Sequence, residues 1–136
     1  MKREALKFVL GMLPQEQSVM LEHKNGIYVM PTLKQVYKNY KIVNCAKKDL
    51  DVDKLLDEII ELKDQRITLI LNKFNSASPH NRYTFFREIH GNRIVYLNQN
   101  SNIVFVVNTD IHDFTYDHNN FDRAMFDRLW VATVEK

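Results

Sequence analysis

Residues 82–109 read RYTFFREIHGNRIVYLNQNSNIVFVVNT. Three runs rich in aromatic and β-branched residues (82–89, 93–98 and 103–109) are separated by His90-Gly91-Asn92 and by a polar turn at 99–102. Such punctuation predicts three short strands joined by tight turns, an antiparallel meander. Alternation along the first run would place Tyr83, Phe85 and Arg87 on one face and Arg82, Thr84, Phe86 and Glu88 on the other.

Upstream, RITLILN (66–72) is apolar almost throughout, as expected of a strand covered on both faces. KIVNC (41–45) reads as another short strand. Between them, residues 49–64 carry Val52, Leu55, Leu56, Ile59 and Leu62 at helical spacing. Asp51 and Asp53 open that helix and Lys63 closes it, as the helix dipole favours. Strand, helix and strand together predict a parallel βαβ unit.

Residues 2–12 predict a first helix, with Leu6, Val9, Leu10 and Leu13 on one side and Pro14 beyond its end. SVMLEH (18–23) and IYVM (27–30) flank Lys24-Asn25-Gly26, a hairpin signal. Thr32 and Gln35 form a capping-box pattern for a short helix bearing Leu33, Val36, Tyr37 and Tyr40. A last helix is expected over 119–130, with Phe121, Met125, Leu129 and Trp130 on its apolar side. The VATV stretch after it either frays or adds an edge strand. The whole reads as one α+β domain, 1–136. It would hold a mixed or mostly antiparallel sheet, a C-terminal three-stranded meander and about four helices.

The chain has 136 residues, 45% apolar and 26% charged, enough for one core. No apolar run approaches the roughly 18 residues of a membrane span. Glu4 interrupts the basic start and no small-residue cleavage site follows, so a secretory leader is not expected. A lone cysteine, Cys45, excludes an internal disulfide and a cysteine zinc cluster. It reads as a core residue of a protein from the reducing cytoplasm. Thirteen asparagines stand against 3 glycines and 3 prolines. With Lys, Ile, Tyr and Phe, they point to an A/T-rich gene of phage or mobile-element type. A G/C-rich gene would remove that reading.

Charge is segregated. Formal charges are +6 over residues 23–48, −5 over 49–64, +4 over 65–109 and −4 over 110–127. The basic blocks also hold rings. Lys34, Lys38, Lys41, Lys47 and Lys48 lie near Tyr37 and Tyr40; Arg82, Arg87 and Arg93 lie near Tyr83 and Tyr96. Cations for phosphates beside rings for bases are what single-stranded nucleic acid requires. Blocks of opposite sign would equally steer a protein partner.

The densest cluster of chemistry is DIHDFTYDHNN, residues 110–120. Asp110, His112, Asp113, Asp117 and His118 offer mixed imidazole and carboxylate ligands suited to Zn²⁺ or Mn²⁺. A metal-bound water there would attack a phosphodiester. The simpler reading is a loop of turn-forming residues in which Asp117, Asn119 or Asn120 caps the final helix. No Walker phosphate loop, nucleophile elbow or H-E-x-x-H motif occurs.

The resulting expectation is a small non-enzymatic regulatory protein with no catalytic residues and no cofactor. It would engage a macromolecular partner, protein or RNA/single-stranded DNA, and no membrane. A homodimer would serve to cover an exposed edge strand. The alternative is a metal-dependent phosphodiester hydrolase built on the 110–118 loop.

Overall fold

The computed structural model describes residues 1–14, 16–61, 66–90, 101–110 and 129–136, without the side chains of 86, 88–90 and 101. Five strands form a single all-parallel sheet in the order β2-β3-β4-β1-β5. They are β1 (Val19–His23), β2 (Tyr40–Asn44), β3 (Ile67–Asn72), β4 (Ser101–Asn108) and β5 (Trp130–Val134). Among the described residues, four α-helices accompany them: α1 (Arg3–Met12), α2 (Met30–Val36), α3 (Val52–Glu61) and α4 (Pro79–His90). This is an α/β architecture. The expected mixed or antiparallel sheet with a C-terminal meander is overturned.

Each face of the sheet has its own core. Leu6 and Leu10 of α1 and Leu33 of α2 pack on Val19, Leu21, Ile70, Val104 and Val106. On the other face Leu55, Leu56 and Ile59 of α3 and Phe85 of α4 cover Leu69, Leu71, Ile103, Phe105 and Val107. A sheet covered on both faces needs strands that are apolar at successive positions, and β3 and β4 are. Phe74, Phe85 and Phe105 meet edge to face, with ring centroids 6.1 Å apart for Phe74–Phe85 and 4.8 Å for Phe74–Phe105. That geometry suits the aromatic quadrupole.

The meander fails at its first run. Residues 82–89 belong to α4. A strand would put Tyr83 and Phe85 on the same face, but Phe85 is fully buried and Tyr83 is 51% exposed. Two helical residues differ by about 200° in direction, which separates them. The helix begins where Ser78 Oγ accepts the Asn81 N–H at 3.2 Å and Pro79 takes the first position. Serine followed by proline is a helix-start signal. The run 93–98 lies outside the described residues, as does most of 119–130. The third run is β4, paired in parallel with β1 and β3.

The predicted hairpin at 18–30 is also absent. β1 is flanked by β4 and β5, so both its hydrogen-bonding edges are occupied. Asn25-Gly26 still turns the chain, with Gly26 at φ +81°, a left-handed conformation glycine adopts freely. The turn leads into α2 rather than into a second strand. The β2–α3–β3 unit is parallel, as its periodicity predicted. VATV lies in the edge strand β5. Beyond β5, Lys2 bridges Glu135 and the Arg3 N–H donates to Glu135 O at 2.9 Å.

Candidate functional site

In the strand order β2-β3-β4-β1-β5, β1 is followed in sequence by β2, at one edge of the sheet, and β4 by β5, at the other. Where strand order reverses in an open parallel sheet, α/β proteins place ligands outside the carboxyl ends of the strands. Here that edge carries His23 and the turn after β1, Asn108, Thr109 and Asp110 at the end of β4, and Asn72, Lys73 and Asn75 at the end of β3.

Asparagine ends three successive strands: Asn44, Asn72 and Asn108. Each uses its Oδ1 to turn the backbone. Asn44 accepts from the Ala46 N–H at 3.1 Å, Asn72 from Lys73 at 3.1 Å and Asn108 from Asp110 at 2.9 Å. An asparagine side chain imitates a backbone turn in this way. Lys73, just after β3, sits at φ 55°, left-handed backbone that side chains adopt at a cost of roughly 1–2 kcal/mol.

The described polar groups at this edge are joined by a network of amide hydrogen bonds. Asn75, 2% exposed, donates from Nδ2 to Asn108 O at 2.7 Å, and the Asn108 N–H donates to Asn75 Oδ1 at 3.2 Å. The Asn108 Nδ2 donates to Asn25 Oδ1 at 2.7 Å. The Asn25 N–H donates to the Asp110 carboxylate at 2.5 Å. The Thr109 N–H closes onto His23 O at 2.8 Å. Thus, among the described residues, polar groups of the turns after β1, β3 and β4 bond to one another.

The turn from β1 into α2, KNGIYVMPTLK (24–34), holds one glycine and no adjacent Lys-Ser or Lys-Thr pair. A phosphate-gripping loop needs several glycines for close backbone approach and a lysine at the helix start. Among the described residues, no three His, Cys, Asp or Glu side chains converge as metal ligands. Of the 110–118 set, Asp110 is described, and it holds the Asn25 turn. His112, Asp113, Asp117 and His118 lie outside the described residues.

Among the described residues, the expected basic set does not gather on one surface. Lys34 is exposed on α2 and Lys38 follows that helix, both on the α1–α2 side. Lys41 of β2 pairs with Glu58 of α3 at 3.4 Å, and Lys47 with Asp49 at 3.9 Å. Lys48 is exposed in the loop before α3. Arg82 of α4 donates from Nη1 to Asn75 O at 3.2 Å and Ala77 O at 3.0 Å. Burial also lowers its pKa. Arg87 is exposed on α4, on the opposite side of the sheet from Lys34, and Arg93 lies outside the described residues. Tyr40 is 36% exposed at the β2 edge. Tyr37 is half-buried; burial pushes its phenol up to about 12, offset in part by a hydrogen bond with the Asn102 side chain.

Cys45 is 2% exposed, and burial raises its thiol to about 12. At neutral pH it is a protonated core group, not a nucleophile. Sequence reasoning missed the asparagine set. The signal was available: asparagine directly closes the apolar runs KIVN, ITLILN and IVFVVN.

An open parallel sheet whose strand order reverses is the general design of ligand-binding α/β proteins. No family model and no curated protein matches the chain. Among solved structures it is similar to "Structure of C. elegans PCH-2", with a TM-score of 0.54 and 13% identity. The match covers 97% of this chain and 40% of that one, so the chain spans less than half of that neighbour's length. At such identity the likeness concerns the fold alone. No helix among the described residues is long and apolar enough to cross a membrane.

Proposed function

We propose that the chain is a non-enzymatic binding module that regulates a protein partner. The observation carrying this reading is the amide network at the carboxyl edge of the sheet. Where an α/β sheet of this topology receives a ligand, the described Asn25, Asn75, Asn108 and Asp110 bond to one another. Catalysis needs groups held toward a reactant, not spent on the scaffold. The choice of protein over nucleic acid rests on the charge placement. Among the described residues, Lys41 and Lys47 each lie beside an acid, and Lys34 and Arg87 stand on helices that cover opposite faces of the sheet. Strand-tracking nucleic-acid sites instead line cations along one groove.

The outer face of α1 supports the same reading. Phe8 and Met12, one turn apart, are 71% and 70% exposed. Large apolar side chains one turn apart in water fit an apolar partner surface.

The test combines two assays on the whole chain. Nucleotides and model phosphodiesters, each with Mg²⁺, Mn²⁺ or Zn²⁺, should show no turnover. A cross-linked protein partner should be retained by the wild type and lost with Phe8→Ser, Met12→Ser and Lys34→Glu combined. Turnover abolished by Asp110→Ala would overturn the reading. So would steeply salt-dependent binding to single-stranded DNA or RNA with no protein partner.

A further inference from the structure

At the opposite, amino-terminal edge of the sheet lies a cavity of about 330 Å³. It opens between the end of α1 and the end of α2, above the first residues of β3 and β4. Its walls are apolar: Leu10 and Leu13 from α1, Pro14 and Val36. Its floor is polar and well buried, with Thr68 at 5% and Asn102 at 3% exposure. The floor is held rigidly. Thr68 Oγ1 donates to Asn102 Oδ1 at 2.6 Å, and Asn102 Nδ2 donates to Gln17 O at 3.2 Å.

Tyr37 lines the same cavity, and its phenol hydroxyl is able both to donate and to accept. Two cations, Lys38 and Arg66, stand at the lining. Arg66 is ion-paired with Glu16 at 3.8 Å, both side chains being more than half exposed, and such a pair contributes little to stability.

Apolar walls, a phenol hydroxyl beside a fixed polar floor and the two lining cations fit a ligand with an apolar body and an anionic, hydrogen-bond-accepting head. We propose that this cavity binds a small free carboxylic acid carrying an aromatic or aliphatic tail. The tail lies against Leu10, Leu13, Pro14 and Val36, and the carboxylate accepts from Tyr37 Oη with Lys38 and Arg66 as counter-charges. The cavity lies at the lower end of the range for small-molecule sites, which limits the ligand to a compact one. This inference is independent of the proposed partner binding, which uses the exposed surface of α1.

The test is calorimetric titration of the full chain with 4-phenylbutanoate, 4-phenylbutanamide and 4-phenylbutylamine, with amide chemical shifts read in parallel. The acid should bind saturably, at least ten-fold more tightly than the amide, with no measurable binding of the amine. Shifts should centre on Thr68 and Asn102. Tyr37→Phe, which keeps the ring, should weaken the acid about five- to ten-fold, and Lys38→Gln with Arg66→Gln at least ten-fold. Melting curves of the variants should stay close to wild type. Equal binding of the three probes, unchanged affinity in folded variants, or no binding of the acid at millimolar concentration would each overturn the proposal.

Discussion

Asn75 and Asn108 grip each other twice, the Asn75 amide donating to Asn108 O at 2.7 Å and accepting from the Asn108 N–H at 3.2 Å. This reciprocal pair ties the turn after β3 to the end of β4. Asn75 is buried, so truncation strands a backbone donor and acceptor away from water. Asn75→Ala should therefore cost about 1–3 kcal/mol in urea denaturation. A loss below about 0.5 kcal/mol would mean that water replaces the pair and that this edge is not held by it.

Lys73 carries left-handed backbone at the same edge. Glycine removes the clash of Cβ with the carbonyl but gains entropy in the unfolded chain. The two effects oppose, and the steric one is larger here. Lys73→Gly should raise stability by about 0.5–1 kcal/mol, whereas Lys73→Val should lower it by more than that. A destabilised glycine variant would show that the lysine side chain itself contributes a contact.

Burial raises the Cys45 thiol from 9.0 to about 12 and the Tyr37 phenol from 10.0 to about 12. Below pH 9 both groups are neutral in folded and unfolded chains, and neither makes stability depend on pH. Above those unfolded values the unfolded chain loses protons that the folded chain keeps. Stability then falls by up to about 1.4 kcal/mol per pH unit for each group, until the folded values are passed. The melting temperature should thus decline from pH 9 toward 12. In Cys45→Ala the onset should move to about pH 10. An unchanged onset would show that the thiol is not the first group to titrate.

Phe105 and Phe8 give a contrast in burial. Phe105 is fully buried against Phe74, while Phe8 is 71% exposed on α1. Phe105→Ala should cost about 3–5 kcal/mol. Phe8→Ala should change stability by less than about 0.5 kcal/mol. If Phe8→Ala also left partner capture intact, the α1 face would not be the contact surface.

The local elements that carry a single period were legible without coordinates. The apolar stripe of α3, the doubly buried β3, and the parallel unit they make with β2 follow from residue spacing, because each is stabilised by neighbours close in sequence. Burial of Cys45 was legible for the same reason. What spacing could not decide was which strands pair. Residues 82–89 satisfy strand alternation on paper, yet Ser78-Pro79 starts a helix and the core accepts Phe85 while leaving Tyr83 in water. The run 103–107 is as unbroken in apolarity as β3, yet the turn-like residues before it lead to an antiparallel reading, which the parallel pairing of β4 overturns.

Pairing is a long-range matter. β1 lies between β4 and β5, strands about 80 and 110 residues further along, so Asn25-Gly26 turns the chain without making a hairpin. Likewise, composition registered the asparagines as a count. Only the assembled sheet brings Asn25, Asn75 and Asn108 together at one edge, and Tyr37, Thr68 and Asn102 together at the other. The sequence by itself determined which segments are apolar, where turns can form and how charge is distributed, since these depend on local chemistry. The tertiary structure decided strand order, direction and the two clusters, because hydrogen-bonding edges and buried amides find partners only across distant parts of the chain.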